Sequence, residues 1–147
     1  MNVLIDADAC PVVNIAIALC QRYSISCTLL CDTAHQMYRD GITTLTLDKG
    51  ADSVDFALVN RVRPGDLVIT QDYGLASMCL ARGAQVMHQD GWEYTADNIS
   101  GLLEQRHAAK KFRAAGGRTK GPSKRTPAQN AAFSKALEAL LQQTVQG

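Results

Sequence analysis

The sequence predicts an α/β domain of three layers, α/β/α, with a mostly parallel central sheet of about five strands and further helices at the C-terminal end. Short apolar runs alternate with longer segments in which apolar residues recur every three or four positions. This alternation is typical of parallel strands joined by crossover helices. The chain has 147 residues, of which 46% are apolar and 20% charged. That length fits one domain, and that composition is ordinary for a globular protein.

The predicted strands are short runs of apolar or β-branched residues bounded by turn residues. They cover residues 3–5, 26–31, 43–47, 67–70 and 85–87. The first run ends directly at Asp6, and Pro64-Gly65-Asp66 is a turn signal before the fourth. Residues 33–41 show no clear pattern.

The predicted helices are recognised by apolar spacing and by residues that favour helix ends. They cover residues 11–23, 53–63, 74–82 and 95–114, and a last helix starts at 126. Pro11 favours a first helical position, and Gly83 favours a helix end. Thr126, Pro127 and Gln129 form a capping-box pattern. The apolar faces of the two C-terminal helices leave two partners open, the core of the same chain or a second copy in a homodimer.

Charge is distributed unevenly along the chain. Residues 1–104 carry 6 Lys and Arg and 13 Asp and Glu, a net charge of −7, whereas residues 105–147 carry 9 and 1, a net charge of +8. We therefore divide the chain into a core, 1–104, and a basic helical C-terminal extension, 105–147, packed on or beside that core.

The basic extension contains a series of eight cations without an intervening acid. They are Arg106, Lys110, Lys111, Arg113, Arg118, Lys120, Lys124 and Arg125. Such a series suits a polyanionic substrate such as RNA, and the candidate substrate-binding residues are Lys110, Lys111, Arg113, Lys124 and Arg125. The alternative is intramolecular, because the basic extension could equally pack on the acidic core. Few aromatic residues interleave the series, which argues against sequence-specific base stacking.

The chain shows no sign of secretion or membrane insertion. Its N-terminal apolar run meets Asp6 too early for a signal peptide, and no stretch of about 18 apolar residues occurs. Its five cysteines form no C-x-x-C pair. We therefore expect a cytoplasmic protein whose thiols are reduced and are core residues rather than nucleophiles.

Aspartates follow the ends of two predicted strands and open one predicted helix. Asp6 and Asp8 follow the first strand, Asp72 follows the fourth, and Asp52 and Asp55 start the helix between the third and fourth strands. If the first and fourth strands are neighbours, these carboxylates converge outside the carboxyl ends of the sheet. Converging carboxylates are suited to Mg²⁺ or Mn²⁺, which can activate water in phosphodiester cleavage.

Each candidate also has a purely structural interpretation. Asp6 and Asp8 could cap a turn or a helix, and Asp52 and Asp55 stand where a helix dipole favours carboxylates. Thr70 is a β-former beside the proposed site. Lys49, near the same crevice, is a candidate phosphate contact and equally a solvated lysine.

Three segments resemble the bacterial YaiI/YqxD family. They are Asp6-Ala7-Asp8-Ala9-Cys10-Pro11, Lys49-Gly50-Ala51-Asp52-Ser53-Val54-Asp55, and Gly65-Asp66-Leu67-Val68-Ile69-Thr70-Gln71-Asp72. The resemblance extends through the C-terminal helices and covers nearly the whole chain. It implies kinship rather than an activity, because that family is functionally uncharacterised.

More distantly, the core is similar to the PIN and NYN nuclease domains. In those domains an aspartate after the first strand, an acid on a middle helix and a Thr-x-Asp after the fourth strand bind metal. Asp6, Asp52 or Asp55, and Thr70 with Asp72 match by position and type. The likeness implies a PIN-like fold, with Asp6, Asp52, Asp55 and Asp72 as metal ligands. One departure is that Tyr73-Gly74 stands where PIN domains often carry another acid.

We therefore expect a metal-dependent nuclease, acting on RNA rather than DNA. Its catalytic residues would be Asp6, Asp8 and Asp72, with Asp8 orienting water or a second metal. A non-catalytic RNA-binding or regulatory module is the first alternative. The second is a phosphatase resembling the haloacid dehalogenases, since Asp6-x-Asp8 after an apolar strand is similar to their nucleophile motif. Cys10 and the lack of a downstream Asp-Asp pair count against it.

Overall fold

The computed structural model describes residues 1–32, 38–47, 53–118 and 124–146. Its strands are β1 (Asn2–Asp6), β2 (Ser26–Asp32), β3 (Thr43–Leu47), β4 (Leu67–Ile69), β5 (Gln85–Met87) and β6 (Glu93–Tyr94). Its helices are α1 (Val13–Arg22), α2 (Ser53–Arg61), α3 (Tyr73–Ala81), α4 (Ala96–Ala114) and α5 (Pro127–Gln146). The bounds of β3 and β5 are those predicted.

The strands form one sheet in the order β3-β2-β1-β4-β5-β6. All neighbours pair in parallel except β5 and β6, which are antiparallel. The strand order reverses at β1, which pairs with β2 on one side and β4 on the other. The crevice outside the carboxyl ends of the strands at such a reversal is the usual ligand site of this architecture.

Helices cover both faces of the sheet. Successive residues of β1 point to opposite faces, so the strand contributes to two apolar clusters. Val3 and Ile5 pack into an apolar cluster with residues of α1 and α5. Leu4 packs into a second cluster, with residues of α2, α3 and α4. The predicted fold class, a three-layer α/β/α domain around a mostly parallel sheet, is confirmed.

Two local differences from the predicted elements have a physical cause. Helix α1 starts at Val13, so the prediction that Pro11 opens it is wrong. Ala9 adopts a φ of 57° and the Cys10 N–H donates to the Ala7 carbonyl at 3.2 Å, so Pro11 lies in the turn that carries the chain from β1 to α1. The structure also adds β6, whose two residues are too few to show an alternating pattern.

The C-terminal helices belong to the packed core. Helix α4 runs unbroken across residue 104, where we divided the chain. Phe133, Leu137 and Leu141 of α5 are fully buried in the cluster that contains α1. Burying each such side chain stabilises the fold by roughly 1.5–3 kcal/mol. The apolar residues of α5 thus pack on the core of their own chain, one of the two arrangements that the sequence left open.

Specific contacts fix where these two helices begin. Thr95 and Asn98 cap α4 reciprocally, at 2.9 and 3.2 Å. At α5 the Gln129 side chain accepts from the Thr126 N–H at 2.7 Å, as a capping box requires. Gly91, between β5 and β6, has a φ of 94°, and a Cβ there would lie 2.7 Å from the Ala132 carbonyl oxygen.

Within the described ranges, no helix combines the length and the apolar character needed to cross a membrane.

Candidate functional site

Asp6 and Thr70 meet at the carboxyl ends of the neighbouring strands β1 and β4. Asp6 is the last residue of β1, and Thr70 directly follows β4. The Thr70 hydroxyl donates to Oδ2 of Asp6 at 2.9 Å and accepts from the Asp72 N–H at 3.0 Å. Thr70 is only 2% exposed. Its hydroxyl therefore connects Asp6 and Asp72, two of the predicted catalytic and metal-binding residues.

Asp72 is the N-cap residue of α3. Its Oδ1 accepts the N–H groups of Gly74 and Leu75, at 2.9 and 3.2 Å. The same oxygen accepts from Nη1 of Arg106 at 3.3 Å. Among the described residues no donor contacts Oδ2 of Asp72 or Oδ1 of Asp6, so each carboxylate keeps one oxygen for a further partner.

Carboxylates converge around Asp6. Burial and the nearby charges of Asp55, Asp72 and Asp8 raise the pKa of Asp6 from 3.8 to about 6, although the Thr70 hydroxyl opposes the shift. Burial is the largest cause, because an ionised carboxylate loses hydration there. The adjacency of β1 and β4 thus brings four of the five predicted acids into electrostatic contact.

Two further described acids, Asp8 and Asp55, act on Asp6 electrostatically. The Asp8 carboxylate accepts from the Asp32 N–H at 3.1 Å, at the end of β2. Asp55 lies in the first turn of α2. Asp52 and Lys49, predicted as a metal ligand and a substrate contact, lie outside the described residues.

A cavity of about 310 Å³ opens beside Asp72. It is lined by Gln71, Asp72, Tyr73 and Arg106. A Cβ on Gly74 would lie 3.3 Å from Oδ1 of Asp72 and 3.5 Å from Nη1 of Arg106, so the glycine leaves room for the guanidinium. In the sequence Arg106 is one of eight cations in the basic series, and nothing distinguishes it from the others. Its contact with Asp72, across 34 positions, left no signal in the sequence.

The carboxylate oxygens of the crevice are the type of ligand that a hard cation such as Mg²⁺ prefers. Within residues 1–32, 38–47, 53–118 and 124–146, no three His, Cys, Asp or Glu side chains are grouped closely enough to hold a metal ion by themselves. Mg²⁺ commonly uses one or two carboxylates and completes its shell with water and substrate phosphates. The open oxygens of Asp6 and Asp72 are donors of that type.

The predicted substrate-binding cations divide into two groups. Lys110, Lys111, Arg113 and Lys124 are exposed. Arg125 is instead only partly exposed, and it donates to Asp90 at 2.6 Å, to the Gln89 carbonyl at 2.7 Å and to Asn130 at 2.7 Å. The structure therefore shows the intramolecular alternative at Arg125, and also at Arg106 through its pair with Asp72.

Two tyrosines and two thiols lie near the aspartates of the crevice. Tyr94 donates to the Thr70 carbonyl at 3.3 Å and contacts Tyr73 edge-on, with ring centroids 5.9 Å apart. All five cysteines are free thiols. Burial raises the pKa of Cys79 to about 12, with Asp55 adding to the effect, and burial also raises the pKa of Cys10. Neither thiol is a ready thiolate near neutral pH.

Comparisons with known proteins match nearly the whole chain. Residues 4–143 match the family model described as "Uncharacterized BCR, YaiI/YqxD family". Proteins named UPF0178 from Exiguobacterium sibiricum and Ruminiclostridium cellulolyticum are 52% and 46% identical, over 96% and 93% of this chain and 96% and 90% of their own. The relative from Clostridium acetobutylicum is 46% identical over 96% of this chain and 97% of its own.

No solved structure matches the chain. The likeness to PIN and NYN domains therefore stays a prediction. The family model and these relatives agree with the resemblance carried by the Asp-Ala-Asp-Ala-Cys-Pro segment. The chain belongs to the YaiI/YqxD family.

Proposed function

We propose that this protein is a divalent-metal-dependent nuclease that hydrolyses phosphodiester bonds, in RNA rather than DNA. The observation that carries the proposal is the convergence of Asp6 and Asp72 at the reversal of strand order, with Asp8 and Asp55 close enough to raise the pKa of Asp6. Holding several carboxylates together is unfavourable unless a cation or a proton offsets their charge. A bound divalent cation would offset the repulsion among these carboxylates and would itself take part in the reaction.

Mg²⁺ or Mn²⁺ would be held by the open oxygens of Asp6 and Asp72, with Asp55 and Asp52 as further candidate ligands. A bound ion of this kind polarises a phosphate and lowers the pKa of a water molecule. The Thr70 hydroxyl fixes Oδ2 of Asp6, so Oδ1 is the oxygen that remains for the ion. Asp8 would orient water, or bind a second ion, from the edge beside β2.

The exposed cations would bind the substrate. Lys110 and Lys111 lie on α4, the helix whose Arg106 reaches Asp72. A polyanion bound along α4 would therefore lead to the carboxylates. Such binding weakens as salt rises, because phosphate contacts release counterions. The exposed 2′-hydroxyl and single-stranded regions of RNA are the expected targets.

The decisive experiment separates metal binding from cleavage. Calorimetric titration of Mn²⁺ into the wild type is compared with the Asp6→Asn, Asp72→Asn double variant, and Asp40→Asn serves as the control because Asp40 is exposed. RNA and DNA oligonucleotides are then incubated with each protein in Mg²⁺ or Mn²⁺. We expect the wild type and the control to bind metal and cleave RNA, and the double variant to do neither while keeping its circular-dichroism spectrum. Full activity of the double variant would disprove the proposal.

One observation favours a second candidate, a non-catalytic RNA-binding module. Arg106 already pairs with Oδ1 of Asp72, so part of the acidic charge is offset without a metal. This candidate predicts that RNA binding survives in the double variant and that no protein cleaves RNA. A covalent aspartyl-phosphate at Asp6, trapped from a phosphate ester, would instead support the dehalogenase-like phosphatase.

A further inference from the structure

A second cavity, of about 380 Å³, lies at the amino end of the sheet, opposite the aspartates. Its walls come from the start of β1, from Thr28 of β2, from the end of α2 and from the turn that precedes β4. The volume falls at the low end of the range of small-molecule sites, roughly 300–1,000 Å³. It is too far along the strands to be part of the carboxylate crevice.

One wall of this cavity contains Asn2, whose side-chain oxygen lacks a hydrogen-bond partner among the described residues. Oδ1 of Asn2 is buried, and none of the described residues donates a hydrogen bond to it. The backbone of Asn2 is nevertheless fixed, because its N–H donates to Oδ1 of Asp66 at 3.0 Å. Buried acceptors without a donor are rare in folded proteins, and each calls for a partner. Rotation of the Asn2 carboxamide toward the cavity would bring this oxygen within reach of a ligand N–H group.

Two arginines contribute positive charge to the lining of the cavity. Arg61 and Arg63 both line it, and neither guanidinium forms an ion pair with a described residue. The acid among the lining residues, Asp66, accepts backbone N–H groups from Asn2 and Arg63, each at 3.0 Å. Two arginines lining one cavity are suited to bidentate binding of a phosphate.

The uncharged lining suits a flat heterocycle. Asn2 and Asn60 offer carboxamides, Thr28 offers a hydroxyl, and Leu4 offers an apolar surface. Carboxamides pair well with the edges of nucleobases, which carry adjacent donors and acceptors. Phe56, one turn before Asn60 on the same face of α2, is 63% exposed and presents a ring of the type on which bases stack.

From these features we propose that the cavity binds a nucleoside monophosphate, with its phosphate on Arg61 and Arg63 and its base against Asn2 and Asn60. The site does not depend on the proposed nuclease activity. It contains none of the candidate catalytic residues and lies at the other end of the strands.

The test is calorimetric titration of AMP, GMP, CMP and UMP into the full chain without divalent metal. The matching nucleosides, ribose 5-phosphate and inorganic phosphate are titrated in parallel. We expect at least one nucleotide to bind saturably, and to bind more tightly than its nucleoside and than ribose 5-phosphate. The Arg61→Gln, Arg63→Gln variant should weaken it by at least about tenfold. Arg82→Gln, at an exposed arginine outside the cavity, should not change it.

A second variant tests recognition of the base. Asn2→Ala should weaken nucleotide binding and leave the affinity for ribose 5-phosphate unchanged. Asp6→Asn should leave nucleotide binding intact, so that failure of the nuclease proposal does not affect this one. The inference is overturned if none of the four nucleotides binds, if inorganic phosphate binds equally well, or if the double arginine variant binds as the wild type does.

Discussion

The Thr70 hydroxyl donates to Oδ2 of Asp6 at 2.9 Å and accepts the Asp72 N–H at 3.0 Å. One buried oxygen thus holds both aspartates of the crevice, and it comes from a residue that follows the central strand β4. Thr70 is therefore a positioning residue for the acids.

The charge of Asp6 should make stability depend on pH. The pKa of Asp6 is about 6 in the folded protein against 3.8 ordinarily, so the folded state binds the proton more tightly. Stability should therefore fall as pH rises from about 4 to about 6 and stay lower above that range. The loss is on the order of 2 kcal/mol, after allowance for partial exposure.

Asp6→Asn should remove this loss. In metal-free buffer we expect the variant to be more stable than the wild type at pH 7 by about 2 kcal/mol, and equally stable near pH 4. Urea unfolding across that pH range measures both, with the exposed Asp40→Asn as control. A wild type and variant whose pH profiles run parallel would contradict the raised pKa.

Thr70→Val should disturb both aspartates at once. The change keeps the side-chain shape but removes the donor to Asp6 and the acceptor for the Asp72 N–H. We expect a loss of about 1–3 kcal/mol in the free energy of unfolding, since a buried N–H loses its partner. The pKa of Asp6 should rise further in the variant, because the hydrogen bond from Thr70 lowers that pKa in the wild type. Carboxyl NMR titration gives that pKa, and Thr70→Ser should behave nearly as the wild type.

Arg106→Gln should change metal affinity more than stability. Arg106 is 57% exposed, so its pair with Asp72 contributes less than about 1 kcal/mol. On the proposed function, its guanidinium competes with a cation for Asp72, and its removal should strengthen Mn²⁺ binding several-fold. Arg118→Gln, at another exposed arginine, is the control. Weaker Mn²⁺ binding by the Arg106 variant alone would show that Arg106 supports the site rather than competing for it.

Arg125→Ala should destabilise the protein by about 2–3 kcal/mol. Its side chain is 19% exposed and reaches Asp90, the Gln89 carbonyl and Asn130, so its loss leaves partly buried partners unpaired. The neighbouring Lys124 is exposed, and Lys124→Ala should change stability little. Chemical denaturation of the two variants checks this. If Lys124→Ala abolishes RNA binding and Arg125→Ala does not, the two cations differ in function as they do in contacts.

The fold could be predicted because its strands are apolar runs of different character from its helices. The ends of the strands at residues 43–47 and 85–87 can be predicted because turn-forming residues lie near both ends of each. Strand β6 could not be predicted, because two residues carry no period and its pairing depends on the turn at Gly91. The start of α1 depends on the left-handed conformation of Ala9, which its residue type does not reveal.

The carboxylates of the site could be predicted in part. Asp6 ends one strand and Asp72 comes shortly after another, and the fold class implies that such ends share one edge. The contact of Arg106 with Asp72 could not be predicted, because it depends on how α4 crosses α3. The distinction between Arg125 and its exposed neighbours was equally hidden, since both kinds of residue look alike in a basic series. Only packing decides which cation faces solvent.

Helix α5 is synthesised after every strand and helix on which it packs. Every strand of the sheet and α1 leave the ribosome before the segment that contains Phe133, Leu137 and Leu141. Until that segment emerges, the apolar side chains of one sheet face and of α1 lack one of the helices that cover them in the finished fold. A nascent chain halted before residue 127 should therefore expose apolar surface that is prone to aggregation, and should depend on chaperones. Completion of the fold is thus tied to translation of its last helix.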